Sequence, residues 1–193
     1  MPPKARITRD MILDAAFDLV RAEGHEALNV RTLAKRLGCS TQPILYNFAA
    51  VEELKDAVYQ RADEFHTANI LPKGGEGADA LLELGLNYVR FGYEEKHLFR
   101  FLFESDRFGG MDFKGLLRWP GSDELVAILA EALGCPAAEA EKLFMTFFAV
   151  AHGLGSLLCN NAMEYDETEC AAMLETVFNG ALAALTSKGE EYA

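Results

Sequence analysis

The chain has 193 residues, half of them hydrophobic and a quarter charged, with a mean hydropathy near zero. That is the composition of one or two globular domains with enough chain to bury a core, and it excludes disordered and fibrous classes. The formal net charge is −12, which as a single number argues against nucleic-acid contact, since phosphates need clustered Lys and Arg.

The charge is unevenly spread. Residues 1–50 hold seven basic and five acidic residues, a net of +2, so the rest of the chain carries −14. A mildly basic head on an acidic body predicts two parts with different partners.

Helical periodicity runs through almost the whole chain. Ile12, Ala15, Ala16, Leu19 and Val20 recur at helical spacing, with Thr8 as N-cap and Gly24 as the stop. Asn29 caps a second short helix that buries Val30, Leu33, Ala34 and Leu37 and closes at Gly38. Ser40 is the candidate cap of a third, with Pro43 in its first turn and Ile44, Leu45 and Phe48 inward. A fourth helix spans residues 51–70 with Leu54, Val58, Ala62 and Phe65 on one side.

Pro72-Lys73-Gly74-Gly75 is the first clear break. Helices are predicted over residues 78–94, with Leu81, Leu84, Tyr88 and Phe91 at helical spacing, and over 96–104. Residues 109–121 are loop-rich. Ser122 caps a helix ending at Gly134, Pro136 opens a long helix to residue 160, and Asp166 with Glu169 opens the last, to residue 187. No strand and no repeat is predicted. The fold class is all-α with about nine helices.

The N-terminal segment has basic residues but no apolar stretch after them, so no secretory signal is expected. The most apolar stretch, residues 143–158, is short of the ~18–20 residues that span a bilayer. A cytoplasmic protein without a membrane partner is expected. Cys39, Cys135, Cys159 and Cys170 have no metal-ligand spacing and read as reduced, mostly buried thiols. The acidic run Glu164, Asp166, Glu167 and Glu169 suits a helix N-terminus without a cation. No cofactor and no metal is expected. An all-α enzyme is a competing class, but no nucleophile elbow, HExxH, P-loop or dinucleotide glycine pattern is present.

Two short helices joined by Gly38-Cys39-Ser40, in the basic part of the chain, match the helix-turn-helix pattern. If the third helix enters a major groove, Thr41, Gln42 and Tyr46 must meet DNA. Gln42 can pair with adenine and the Thr41 methyl can touch a thymine methyl. Ser40, Arg31 and backbone amides at the two helix starts could hold phosphates. Many three-helix clusters share this spacing, so spacing alone leaves a purely structural role open.

Residues 11–55 resemble the DNA-binding head of TetR-family transcriptional repressors. The matching text is Ile12-Leu13-Asp14-Ala15-Ala16-Phe17, Gly24, Ala27-Leu28-Asn29-Val30-Arg31, Leu33-Ala34-Lys35, Leu37-Gly38-Cys39-Ser40, Phe48 and Glu53-Leu54. The chain departs from the family at Leu45, where a phosphate-contacting Tyr is usual, at Val51, where a Lys is usual, and at Cys39, where a Val is usual. With the resemblance, the expected DNA contacts are Arg31, Thr32, Ser40, Thr41, Gln42, Tyr46, Asn47 and Lys55.

The resemblance implies a head over residues 1–50 and an effector-binding and dimerisation domain over 51–193, with 51–70 as connecting helix. It implies a homodimer on a palindromic operator in double-stranded DNA, released by an unknown small apolar or aromatic effector. The dimer surface would use Leu154, Leu158, Leu174, Val177, Phe178, Ala181 and Leu185; ordinary intrachain core is the alternative for that stripe. Nine aromatic residues fall between Tyr88 and Trp119. The expected effector cavity draws on Tyr88, Phe91, Phe103, Trp119, Phe144 and Phe148. His152, in Ala151-His152-Gly153, resembles one TetR-like subgroup and joins that set, with a hydrogen-bonded core histidine as the alternative. The departures at Leu45 and Val51 leave a second functional reading, a TetR-like module that binds a protein partner.

Overall fold

The computed structural model describes residues 7–74, 77–105, 110–112, 115 and 122–190, with side chains to residue 184. Among the described residues there are nine α-helices and no strand. They are α1 Arg9–Glu23, α2 Val30–Arg36, α3 Gln42–Asn47, α4 Val51–Ile70, α5 Gly77–Glu94, α6 Lys96–Phe103, α7 Ser122–Leu133, α8 Ala137–Asn160 and α9 Glu167–Glu190. A single 3-10 turn, His25–Ala27, lies between α1 and α2. The all-α class follows directly from this order.

The helix ends are set by local chemistry. Thr8 Oγ1 accepts the Met11 amide at 3.2 Å, and Asn29 Oδ1 accepts the Thr32 amide at 2.9 Å. Asp166 Oδ1 accepts the amides of Thr168 and Glu169 at 2.8 and 3.1 Å. Gly24 ends α1 at a φ of 88°, a conformation that costs a side-chain-bearing residue strain. The start of α3 differs from the sequence expectation. Thr41, not Ser40, occupies the cap position, with helical dihedrals and no side-chain bond to the first turn. The turn after Gly38 has already brought the backbone into a helical conformation there.

The chain packs as two units, residues 7–68 with Glu95–Ser105, and residues 69–94 with the described residues from 110 onward. In the first, α1, α2, α3, α6 and most of α4 enclose Ile12, Leu19, Val20, Leu33, Ile44, Phe48, Leu54, Val58, Leu98 and Phe99. α6 is tied in by polar and aromatic contacts. Arg21 donates to both carboxylate oxygens of Glu95. Tyr59 donates its hydroxyl to the Leu102 carbonyl at 3.2 Å. The Phe101 ring stacks on His25 at 5.5 Å and meets the Tyr59 edge at 5.6 Å.

On α4 the stripe Leu54, Val58, Ala62 continues at i+4 spacing into His66, which is buried, whereas Phe65 is half-buried. His66 packs edge-on against Phe103 at 5.0 Å. Burial holds its imidazole neutral and pushes its pKa down to about 4. Phe65 instead meets Phe17 at 5.5 Å and carries the Arg21 guanidinium over its face at 4.8 Å.

In the second unit α8 packs against α5, α7 and α9. It buries Ala140, Leu143, Phe144, Phe147, Ala151, Gly155, Leu158 and Cys159. With 24 residues it is long and apolar enough by length and composition to cross a membrane, where the 16-residue stretch read from sequence falls short. The difference arises because the helix extends beyond that stretch at both ends, by residues 137–142 and 159–160. α5 and α8 approach closely at two glycines: a Cβ on Gly92 would lie 2.9 Å from Gly155 Cα and 2.9 Å from its carbonyl oxygen. A Cβ on Gly85 would lie 2.5 Å from Phe147 Cζ. All four cysteines are free thiols; Cys159 and Cys170 are buried, Cys39 and Cys135 half-buried.

Candidate nucleic-acid interface

α2 and α3, with the turn at Gly38, form the most distinctive outward surface of the first unit. Arg31, Lys35 and Arg36 of α2 are exposed, as is Ser40 in the turn. α3 has only six residues and buries one of them, Ile44; Phe48, just past its end, is also buried. Every other position faces partly or fully outward. Gln42, Leu45 and Tyr46 stand at i, i+3 and i+4 on one exposed face. Tyr46 is 83% exposed and Leu45 53%. Leu45 is a correction to the inward side read from periodicity. Over fewer than two turns, two buried residues anchor the helix and the third apolar residue is left outside.

The remaining expected contacts are placed less openly. Thr41 and Thr32 are half-buried, and the Thr32 amide is already donated to Asn29. Asn47 is half-buried and gives its side-chain N–H to the Pro43 carbonyl at 2.8 Å, inside α3. Lys55 is half-buried one turn into α4, with its Nζ 3.9 Å from Glu52.

A clamp holds α3 from behind. Arg9 Nη1 donates to the Asn47 carbonyl at 2.6 Å and to Glu53 Oε1 at 3.0 Å, and the guanidinium lies 4.0 Å over the Phe48 ring. Glu53 Oε2 accepts the Ala49 amide at 2.8 Å. That backbone bond, with Arg9, holds the Glu53 carboxyl below the usual carboxylate range. The clamp ties the end of α3 to the starts of α1 and α4. Sequence reasoning missed it. Glu53 in the first turn of a helix is a local hint of capping, but Arg9 lies 44 residues earlier and gives no local signal.

In the second unit, four of the residues assigned to the effector cavity come together. Phe144, Phe148 and His152 lie at i, i+4 and i+8 on α8, with ring centroids 6.4 Å and 5.8 Å apart. Tyr88 of α5 meets Phe148 edge-on at 5.4 Å, and its hydroxyl hydrogen-bonds His152 Nδ1 at 2.9 Å. Phe91 is buried one turn from Tyr88 on α5. Phe103 sits in the first unit, between His66 and Phe99. Trp119 lies outside the described residues.

Of the residues assigned to a dimer surface, Leu158, Leu174 and Phe178 are buried within the chain, while Leu154, Val177 and Ala181 are half-buried. Leu185 lies outside the described side chains. Gly153, Leu157, Met173, Thr176 and Gly180 are exposed on α8 and α9, with Leu157 and Met173 each at 51%. Among the described residues no three His, Cys, Asp or Glu side chains converge as a metal site.

No protein-family model and no curated protein matches the chain. Solved structures do. A TetR-like transcriptional regulator from Rhodococcus sp. RHA1 superposes with a TM-score of 0.65 at 16% identity, over 92% of this chain and 99% of that one. A TetR-family transcriptional regulator from Streptomyces coelicolor gives 0.55 at 21% identity, over 98% of each. At these identities the likeness is one of fold, and this chain has the TetR-like fold along nearly its full length.

Proposed function

We propose that this chain, built on the TetR-like fold, is a DNA-binding transcriptional regulator that acts as a repressor. The observation that carries the reading is the α3 face. Gln42 and Tyr46 project into solvent from a helix whose other side is buried through Ile44 and Phe48 and clamped by Arg9. A short helix fixed this firmly, with Gln42, Leu45 and Tyr46 exposed on one face, suits insertion into a major groove. Arg31, Ser40, Thr41 and Lys55 supply backbone and flanking contacts around it, with Thr32 and Asn47 at its edges.

In this reading residues 1–50 read DNA, residues 51–70 connect, and the rest through 193 binds effector and partner. Two copies pair through α8 and α9, using Gly153, Leu157, Met173 and Thr176 beside Leu154, Val177 and Ala181, and so match a palindromic operator. A small aromatic or apolar effector with one polar group would meet Tyr88, Phe144, Phe148 and His152, where rings end on a hydroxyl–imidazole pair. Its binding shifts the population away from the DNA-competent state. In this reading the protein works in the cytoplasm and carries out no catalytic chemistry.

The test is titration of the purified full chain onto the intergenic DNA upstream of its own gene, with competitor DNA at moderate salt. A sequence-specific shift is expected, and Gln42→Ala should weaken it by about 1–3 kcal/mol. No preference over competitor DNA overturns the proposal. A specific complex indifferent to Gln42→Ala removes α3 as the reading element.

A further inference from the structure

Leu45 is not absorbed by the function proposed above. It stands on the reading face between Gln42 and Tyr46, and it is 53% exposed. It also borders a shallow apolar depression with Val30, Ala50 and Val51 at the corner of α2, α3 and α4. The side chains of this part of the face are apolar and offer no hydrogen bond to a polar base edge. A single exposed leucine is ordinary on a protein surface. One placed three residues from Gln42, on a helix only six residues long, is within reach of whatever Gln42 reads. Among the groups that line the major groove, the thymine 5-methyl is the apolar one.

We propose that Leu45 is a specificity-determining residue that packs against a thymine 5-methyl in the major groove, selecting thymine at one position of each half-site. The inference rests on the DNA-binding reading given above. It differs from the contact assigned to Thr41, whose methyl is half-buried at the start of α3.

The experiment uses the full chain and a duplex that the wild-type protein enriches from a random-sequence library. Each thymine of that duplex is replaced in turn by deoxyuridine, which removes the methyl and leaves every hydrogen-bonding group in place. At one position per half-site the wild type should lose about fourfold in affinity, the factor expected for one methyl-sized apolar group. Leu45→Ala should bind the parent duplex about fourfold more weakly and be indifferent to deoxyuridine at that position, while Thr41→Ser keeps the penalty. Because Leu45 is exposed, Leu45→Ala should melt at the wild-type temperature, which separates a lost contact from a lost fold. If every deoxyuridine penalty is the same in wild type and Leu45→Ala, or vanishes with Thr41→Ser instead, the assignment to Leu45 is wrong and the DNA-binding reading stands. If no duplex is enriched, the DNA-binding reading fails and this inference with it. A protein partner that binds wild type but not Leu45→Ala, beside unchanged DNA affinity, overturns it in favour of a protein-docking face.

Discussion

The unit that carries α1 to α3 and the unit built around α8 are both helical, yet they are held together differently. The first is keyed by directional contacts: Arg9 on the Asn47 carbonyl and Glu53, Arg21 on Glu95, Tyr59 on the Leu102 carbonyl. The second is joined mainly by apolar stripes and by places where a side chain is missing, Gly85 under Phe147 and Gly92 against Gly155. Directional bonds fix the orientation of α3, which is too short to be oriented by a long stripe. Long helices such as α8 carry few such keys, Tyr88 on His152 among them, and their spacing depends on what does not fit between them.

The contrast can be broken most strongly in the second unit. Phe147→Ala should cost about 3–5 kcal/mol in urea unfolding at one fixed protein concentration. In wild type, Gly85→Ala should destabilise by forcing a Cβ into the Phe147 ring. In the Phe147→Ala background the same substitution should reverse sign and stabilise by up to ~1 kcal/mol, because a helix-interior glycine is removed and the ring is gone. The same sign in both backgrounds would show that the contact with Leu174, 3.2 Å from that Cβ, and not the ring alone, excludes a side chain there.

A pH experiment sharpens the first unit. His66 has a folded pKa of about 4, against an unfolded value near 6.5. Between those values the unfolded chain binds the extra proton, so stability falls as pH drops from about 6.5 towards 4. The loss attributable to His66 approaches about 3 kcal/mol at the acid end. The slope of stability against pH in that window should be shallower in His66→Leu. Equal slopes would mean that His66 protonates normally in the folded protein.

Smaller effects follow. Gly92→Ala should cost about 1–3 kcal/mol, since the new Cβ meets Gly155 backbone rather than a side chain that can move. Asn29→Ala should cost ~1 kcal/mol through the lost cap on α2, read as a lower urea midpoint with an unchanged slope. A near-zero effect of Gly92→Ala would show that α5 and α8 can separate freely.

Features decided by neighbours in sequence were legible in the chain. Thr8, Asn29 and Asp166 cap the helices they were expected to cap, and the α4 stripe appears where Leu54, Val58 and Ala62 place it. Features decided by distant partners were not. The stripe is read as ending on Phe65, whereas the i+4 step after Ala62 falls on His66, which is buried and packs against Phe103. The Leu45 orientation failed because periodicity has little meaning over six residues. The Arg9 clamp joins residues 38 and 44 positions apart. Phe103 lies with His66 because α6 packs in the first unit, which no linear reading of an aromatic-rich stretch reveals.

That return of α6 to the first unit matters for anyone who would move α1 to α3 onto another protein. Cutting after the connecting helix would take α1 to α4 away from the rings and carbonyl that His25, Tyr59 and His66 lean on, and cutting after residue 50 would leave α4 behind as well. Leu98, Phe99, Phe101 and Leu102, each at most 3% exposed in the intact chain, would remain behind with the donor. A transplantable first unit is therefore discontinuous in sequence, and a stable chimera must carry residues 95–105 along with α1 to α4.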